Sequence, residues 1–379
     1  MKCSIRKQDF IEMLANVQGI TGKRSSLAIT ENLLITAANG QVTVCATDIE
    51  IGFQGIYPAE IEKEGKIAIN ARYLYDIAKK TRKENIFLNE TKKQWIEITD
   101  LKDGSSLKYN IVGADPEEFP ELPQIKEINY FDLSAARVKK MLSWGAMIQA
   151  GGDEKRTHLI GVNFEYQQED EQYKIRMIST DGKRLTKTEI PYKDAEKAGM
   201  SLGTNVIIPK KALQEVMKFI KKEGNIKIGV KDNYCVINKE NEIIYVNLLS
   251  GNFPDLNTVF TDDDKHIIHL NHSEFKEMLE RMSILTTEDY KGVIFRLEDN
   301  NLYINAANPD RGESFEFMAV DFKNKDTIET MFNPHYFIEA LNLIEQEKVL
   351  MKIKDDQSPC ILCGEEAEED INIIMPMKI

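Results

Sequence analysis

The sequence predicts an α+β fold made of three tandem copies of one domain, each with two helices and several antiparallel strands. Two recurrences predict it, and their shared order confirms the repeat. A short amphipathic pattern returns as Phe10–Leu14, Val138–Leu142 and Phe275–Leu279. A second returns as Ile69–Leu74, Ile208–Leu213 and Phe332–Phe337. Four kinds of landmark keep one order through the chain, which is the signature of a repeat. A length of 379 residues fits two or three domains.

The first pattern reads as the opening helix of each unit, because its apolar residues recur at helical spacing. Alternating segments follow and read as strands: Leu33–Ala38 with Gln41–Thr47, Val162–Tyr166 with Lys174–Thr180, and Val293–Leu297 with Leu302–Ala307. A turn cluster closes each pair at Thr47-Asp48, Thr180-Asp181-Gly182 and Asn308-Pro309-Asp310. The second pattern then opens another helix, with Asn or Pro just ahead of it as helix-start chemistry requires. Units one and two end in matching extended stretches, Phe119–Leu122 and Phe253–Leu256, and the third ends at Ile374–Ile379. The expected domains are 1–126, 127–262 and 263–379, with the charged run Thr261–Lys265 as the second linker.

Apolar residues make up 42% and charged residues 29% of the chain, so wholesale disorder is excluded. A net charge of −13 argues against a simple basic coat for nucleic acid, yet it leaves room for one basic surface. No apolar run approaches the roughly 18 residues of a membrane span, and the N-terminus lacks a secretory apolar stretch. The five cysteines are odd in number and scattered, which suits a reducing, cytoplasmic location rather than a disulfide framework.

The second helices carry the sharper signal. At about 100° per residue, Arg72, Lys79 and Lys83 fall on one stripe, with Leu74, Ile77 and Ala78 broadly opposite. The equivalent stripe of unit two holds Lys211, Lys218 and Lys222, opposite Leu213, Val216 and Ile220. In unit three it holds His335, Asn342 and Gln346, and Glu339, Glu345 and Glu347 are expected on other angles. A row of cations can follow the phosphates of duplex DNA without reading its bases. Acidic groups a domain's width away are screened from that row over about 8 Å. A merely solvated face is the competing reading of each helix taken alone.

Other chemistry is largely excluded. Gly19–Lys23 suggests a phosphate loop, but Val17 stands where the first glycine is needed and Arg24 where Ser or Thr would hold Mg²⁺. Cys360 and Cys363 have the spacing of half a zinc site without a second half, and in a strand they point to opposite faces. His266, His269 and His272 straddle a strand and a helix start. Asp48 and Asp181 sit at equivalent repeat positions, so they read as turn residues rather than a catalytic pair. No catalytic residue, metal site or cofactor is expected.

The repeat, Thr180-Asp-Gly-Lys-Arg-Leu185, Gly251-Asn-Phe-Pro-Asp255 and the terminal Met375-Pro-Met-Lys-Ile379 together resemble the bacterial DNA polymerase III beta subunit family of replicative sliding clamps, over the whole chain. The resemblance implies three clamp-type domains per chain and a six-domain ring made by a head-to-tail homodimer. Helices would line the hole and strands would form the outside. It implies a non-catalytic protein that encircles double-stranded DNA without sequence preference. It would tether replicative polymerase, clamp loader and repair proteins through a short peptide motif, with no membrane role.

The implied partner pocket is lined by Leu159, Thr180, Gly182, Arg184, Leu185, Pro254, Val259, Tyr336, Ile374, Met375, Pro376 and Met377. Flexible methionines suit a cleft that accepts many peptides. Lys183 and Thr258 depart from the family, which often has His and a basic residue at these places. The resemblance adds Arg24, Gln149, Lys155 and Arg156 to the DNA-binding residues, while Thr157 and His158 stand where aromatics are sometimes found. It places the subunit interface between the strand around Tyr109 and Ile111 and a helix end carrying Ile284 and Leu285 on the neighbour. A three-repeat interaction scaffold that binds no DNA is the alternative.

Overall fold

The structure is a computed structural model that describes residues 1–21, 27–105, 107–148, 156–169, 172–192, 206–221, 223–256, 266–322 and 327–378. Seven helices are described: α1 (Lys7–Val17), α2 (Ala71–Lys80), α3 (Ala135–Met147), the short α4 (Thr157–Ile160), α5 (Lys210–Phe219), α6 (His272–Ser283) and α7 (Pro334–Leu341). Three of them start where the sequence places an asparagine. The side chains of Asn70, Asn271 and Asn333 accept hydrogen bonds from the backbone N–H of Tyr73, Glu274 and His335 at 3.0–3.1 Å. The chain folds as two compact units, Met1–Lys139 with Lys211–Leu248, and Lys140–Lys210 with Leu249–Ile379. Each unit therefore contains parts of two repeats.

In the first unit the strands run in the order Lys108–Val112, Trp95–Thr99, Asn85–Lys92, Lys2–Arg6, Ile51–Lys63, Glu242–Asn247, Tyr234–Lys239, Asn225–Lys231 and Tyr130–Ser134. The long strand Ile51–Lys63 also pairs with Gln41–Thr47, which leads through Asn32–Ala38 to Gly65–Asn70. The first repeat joins the second by backbone pairing, with Ile51 opposite Val246 and Phe53 opposite Ile244. Helices α1 and α2 pack together and bury Phe10, Met13 and Leu14 from one and Leu74, Ile77 and Ala78 from the other.

The second unit holds an eight-stranded sheet: Ile207–Pro209, Gly161–Glu169, Gln172–Thr180, Arg184–Tyr192, Ala367–Ile374, Cys360–Gly364, Lys348–Ile353 and His266–Asn271. Here the second repeat joins the third, with Arg184 opposite Ile374 and Thr186 opposite Asn372. A four-stranded sheet runs Gly312–Ala319, Asn301–Asn308, Val293–Glu298, Ile328–Phe332. Helices α6 and α7 pack over an aromatic core in which Phe295 stacks on Phe337 at 5.2 Å and meets Phe332 edge-on at 5.3 Å. The same core takes in Cys360, whereas Cys363 lies in a separate cluster with Leu185, Ile361 and Ile373. The two thiols face opposite sides of their strand. No metal-binding group of His, Cys, Asp and Glu occurs among the described residues.

Candidate DNA-facing, partner and subunit surfaces

The turn after the second strand of each repeat is fixed by its own side chains. Asp48 Oδ1 accepts from the backbone N–H of Glu50 and Ile51 at 3.1 and 2.7 Å. Asp181 Oδ1 accepts from those of Lys183 and Arg184 at 2.9 and 3.0 Å. Asn308 Oδ1 accepts from Asp310 at 3.0 Å. These carboxylates and this amide cap turns, as short polar side chains do.

In the second unit the Asp181 turn packs against α7, where the sequence places the expected partner pocket. The Thr180 hydroxyl donates to the Arg184 carbonyl at 2.7 Å and accepts from Gly182, whose φ of +84° a side chain would strain. The buried Arg184 guanidinium donates to Asp181 at 3.2 Å and to Glu339 of α7 at 2.7 Å. It lies 4.2 Å over the ring of Tyr336. With its charge so engaged, Arg184 presents a rigid flat surface rather than a free cation. Burial, followed by the Asp181 charge, pushes the Tyr336 hydroxyl up.

The apolar chain end is fastened against this wall. Met375 N–H donates to the Lys183 carbonyl at 2.9 Å, and Met377 N–H to the Met331 carbonyl at 2.7 Å. Ile374 is buried beneath, while the side chains of Met375 and Met377 are 41% and 38% exposed and Pro376 is half-buried. Leu185 is buried in a cluster on which Phe253 and Leu256 pack, and Pro254 between them is exposed. Val259 lies outside the described residues.

Leu159 is buried, and its carbonyl accepts from the Lys210 ammonium at 2.7 Å. The same Nζ donates to the Thr180 carbonyl at 3.4 Å, so Lys210 ties two of the expected wall residues together. Burial pushes this lysine down to about 8, against the opposing pull of Asp181. Sequence reasoning passed over Lys210. The signal was present: it precedes Lys211 by one residue, which turns it to the apolar side of α5.

The basic stripe is partly realised. Arg72 and Lys79 are exposed on α2, and the Lys79 ammonium sits 4.7 Å over the Tyr75 ring. Lys83 does not belong to the helix. α2 stops at Lys80 because Thr81 turns extended, with ψ of 136°, and its carbonyl accepts from Lys7 Nζ at 2.5 Å. Gln346 likewise lies beyond α7, which ends at Leu341. The stripe also carries acids. Asp76, Glu215 and Glu339 each stand four residues after the first stripe position, only about 40° round the helix, so the expected separation of Glu339 from the stripe is corrected.

Two lysines of the stripe are paired within the first unit. Lys211 donates to Asp48 at 2.8 Å and Glu50 at 3.2 Å, and against the effect of burial these partners hold its ammonium above the usual lysine range. Lys218 donates to Glu215 at 2.8 Å. The Glu215 carboxylate lies so close to Gly19 that a Cβ there would meet it at 1.8 Å. Arg156 is exposed just before α4. Arg24, Gln149, Lys155 and Lys222 lie outside the described residues.

The third repeat carries a knob and the first a groove. Ile284, 70% exposed at the end of α6, is held by Arg311, which donates to its carbonyl at 3.2 Å. Asn308 donates to the carbonyl of Leu285, a residue packed on the core behind. In the first unit a groove of about 720 Å³ lies between α2 and the strand Lys108–Val112, lined by Tyr73, Ile77, Lys79, Lys80, Tyr109 and Ile111. Among the described residues, Lys108–Val112 pairs only with Trp95–Thr99, and Gly312–Ala319 only with Asn301–Asn308. Each strand leaves an open edge.

Models of the DNA polymerase III beta subunit match the chain from end to end: its N-terminal domain at residues 1–123, its central domain at 133–255 and its C-terminal domain at 257–378. The chain belongs to the DNA polymerase III beta subunit family. The beta sliding clamp of Chlamydia pneumoniae is 26% identical over 380 residues, covering 100% of this chain and 99% of that protein. The Escherichia coli K12 beta sliding clamp is 26% identical over 387 residues, with 100% of both chains covered. Among solved structures, the Bacillus subtilis sliding clamp superposes with a TM-score of 0.90 at 24% identity, covering 100% of this chain and 99% of that one. The Bartonella birtlesii clamp, solved bound to griselimycin, gives 0.89 at 25% identity with both chains covered in full. The family is a non-catalytic one of processivity subunits, which sets the scaffold and enzyme readings aside. No helix among the described residues is long and apolar enough to cross a membrane.

Proposed function

We propose that this chain is a sliding clamp that encircles double-stranded DNA and confers processivity by tethering a replicative polymerase, a clamp loader and repair proteins. Its domains are 1–126, 127–262 and 263–379, and two chains close head to tail into a six-domain ring in the cytoplasm. The observation that carries this reading is the junction between repeats. It is made twice within the chain by continuing a sheet, from Ile51–Gly55 to Glu242–Val246 and from Arg184–Lys187 to Ile371–Ile374. A third junction of this kind needs Gly312–Ala319 of one copy and Lys108–Val112 of another. The Ile284–Leu285 knob then enters the groove lined by Tyr109 and Ile111.

In this reading Arg24, Arg72, Lys79, Lys83, Gln149, Lys155, Arg156, Lys211, Lys218 and Lys222 meet phosphates without reading bases. The surface around Thr180, Arg184, Tyr336, Met375 and Met377 takes an apolar peptide from each partner, with Leu159, Leu185, Pro254, Val259 and Ile374 around it. Retention on DNA is topological, so direct affinity can be weak. Loaded onto a nicked circular plasmid, the protein is expected to stay bound, and to leave within the dead time once a single cut linearises the circle. Equal lifetimes before and after the cut overturn the reading.

A further inference from the structure

The open edges of Gly312–Ala319 and Lys108–Val112 carry exposed apolar groups on the face that points away from the helices. On Gly312–Ala319, Glu316 turns toward α6, where it accepts from Arg281 at 3.0 Å. Phe315 and Phe317 therefore point the other way, and both are 58% exposed. They form a cluster with Tyr303 of the neighbouring strand, whose ring lies 5.9 Å from Phe315 and 5.7 Å from Phe317, and the Arg296 guanidinium caps that tyrosine at 5.0 Å. On the other edge, Tyr109 and Ile111 face the groove beside α2. Lys108, Asn110 and Val112 alternate to the far face, where Lys108 pairs with Glu97. Val112 is 58% exposed and stands opposite Trp95, itself 45% exposed. Large apolar groups left bare on a sheet edge invite a further strand.

Antiparallel pairing keeps faces together, because residues directly opposite one another project to the same side. Both junctions inside the chain obey this, and the third must too. Joining the open edges with helix faces matched aligns Phe315 and Phe317 with Lys108, Asn110 and Val112, whatever the register within one pair. We propose that Tyr303, Phe315 and Phe317 of one copy and Val112 and Trp95 of a second copy form an apolar seam on the far face of the continued sheet. The seam anchors subunit association from the side opposite the Ile284 knob. It rests on the head-to-tail reading above and commits the exposed aromatics to a second copy of this chain.

The test is the dimer dissociation constant of the full chain, read by sedimentation over a dilution series. Phe315→Ser with Phe317→Ser is expected to raise it at least tenfold, and Trp95→Ser with Val112→Ser to do the same from the other edge. All four changes together should cost less than the product of the two effects, since each pair removes the other's partner. Circular dichroism and the urea midpoint of each variant establish that the fold is intact. If folded Phe315/Phe317 variants keep the parent dissociation constant while Ile284→Arg still splits the dimer, the seam is overturned and the head-to-tail reading stands. If the unsubstituted chain is monomeric throughout, both fall.

Discussion

Lys211 and Lys218 stand beside carboxylates, so their electrostatics are those of ion pairs rather than bare cations. Surface pairs of this kind contribute at most about 1 kcal/mol, which leaves each lysine able to exchange its partner for a phosphate. Lys211→Glu with Lys218→Glu is expected to lower the slope of log affinity against log salt by about 0.9 per lost contact. A slope equal to that of the unsubstituted protein would make the stripe a solvated face. Lys210 behaves differently because it is buried. Lys210→Met leaves the Leu159 and Thr180 carbonyls without their donor, and an unpaired buried acceptor costs about 1–3 kcal/mol. Affinity for a partner peptide should fall roughly tenfold, as measured by fluorescence anisotropy. The group also has a pH signature. Its folded value of about 8 lies below the free 10.5, so the unfolded chain binds more protons between those limits. Lys210 therefore adds stability as pH rises through that window, and urea midpoints of the Met variant should lack this rise.

Secondary elements were the part most open to sequence reading, because their causes are local. The alternation in Gln41–Thr47 and Leu302–Ala307 marks strands that the structure contains as Gln41–Thr47 and Asn301–Asn308. Asn70, Asn271 and Asn333 mark helix starts because the same side chain accepts from the first turn's backbone in the first and third repeats. Asn271→Ala is expected to cost about 1 kcal/mol of stability, checked by thermal unfolding. Helix ends were harder to read. The Thr81 hydroxyl donates back to the Ile77 carbonyl at 3.0 Å, which a threonine inside a helix can also do, and its own carbonyl is taken by Lys7, far away in sequence. The pairing of Ile51–Gly55 with Glu242–Val246 was equally hidden, since it joins segments nearly two hundred residues apart. The exposed Phe315 and Phe317 alternate as a strand should, yet alternation alone does not say which face lacks a helix above it. At the pocket, the Thr180–Leu185 and Met375–Met377 motifs pointed to residues that do touch one another. The bonds by which Glu339 and Lys210 hold Arg184, Leu159 and Thr180 are long-range and appear only in the folded geometry.

Two junctions between repeats are built by continuing a sheet, and the strands Lys108–Val112 and Gly312–Ala319 each leave an open edge for the third junction proposed above. If two such chains close around duplex DNA, covalent closure of both seams must trap them on it. Glu313→Cys and Asn110→Cys in one chain place a thiol at each open edge, and a flexible bismaleimide spans them. The native thiols at Cys3 and Cys235 stay silent, because burial pushes them up to about 11 and about 12. After loading onto nicked circular DNA and cross-linking, doubly linked dimers are expected to remain on the circle in detergent and to be freed by linearisation. Failure to link two chains, or linked dimers that detergent strips from intact circles, would contradict it.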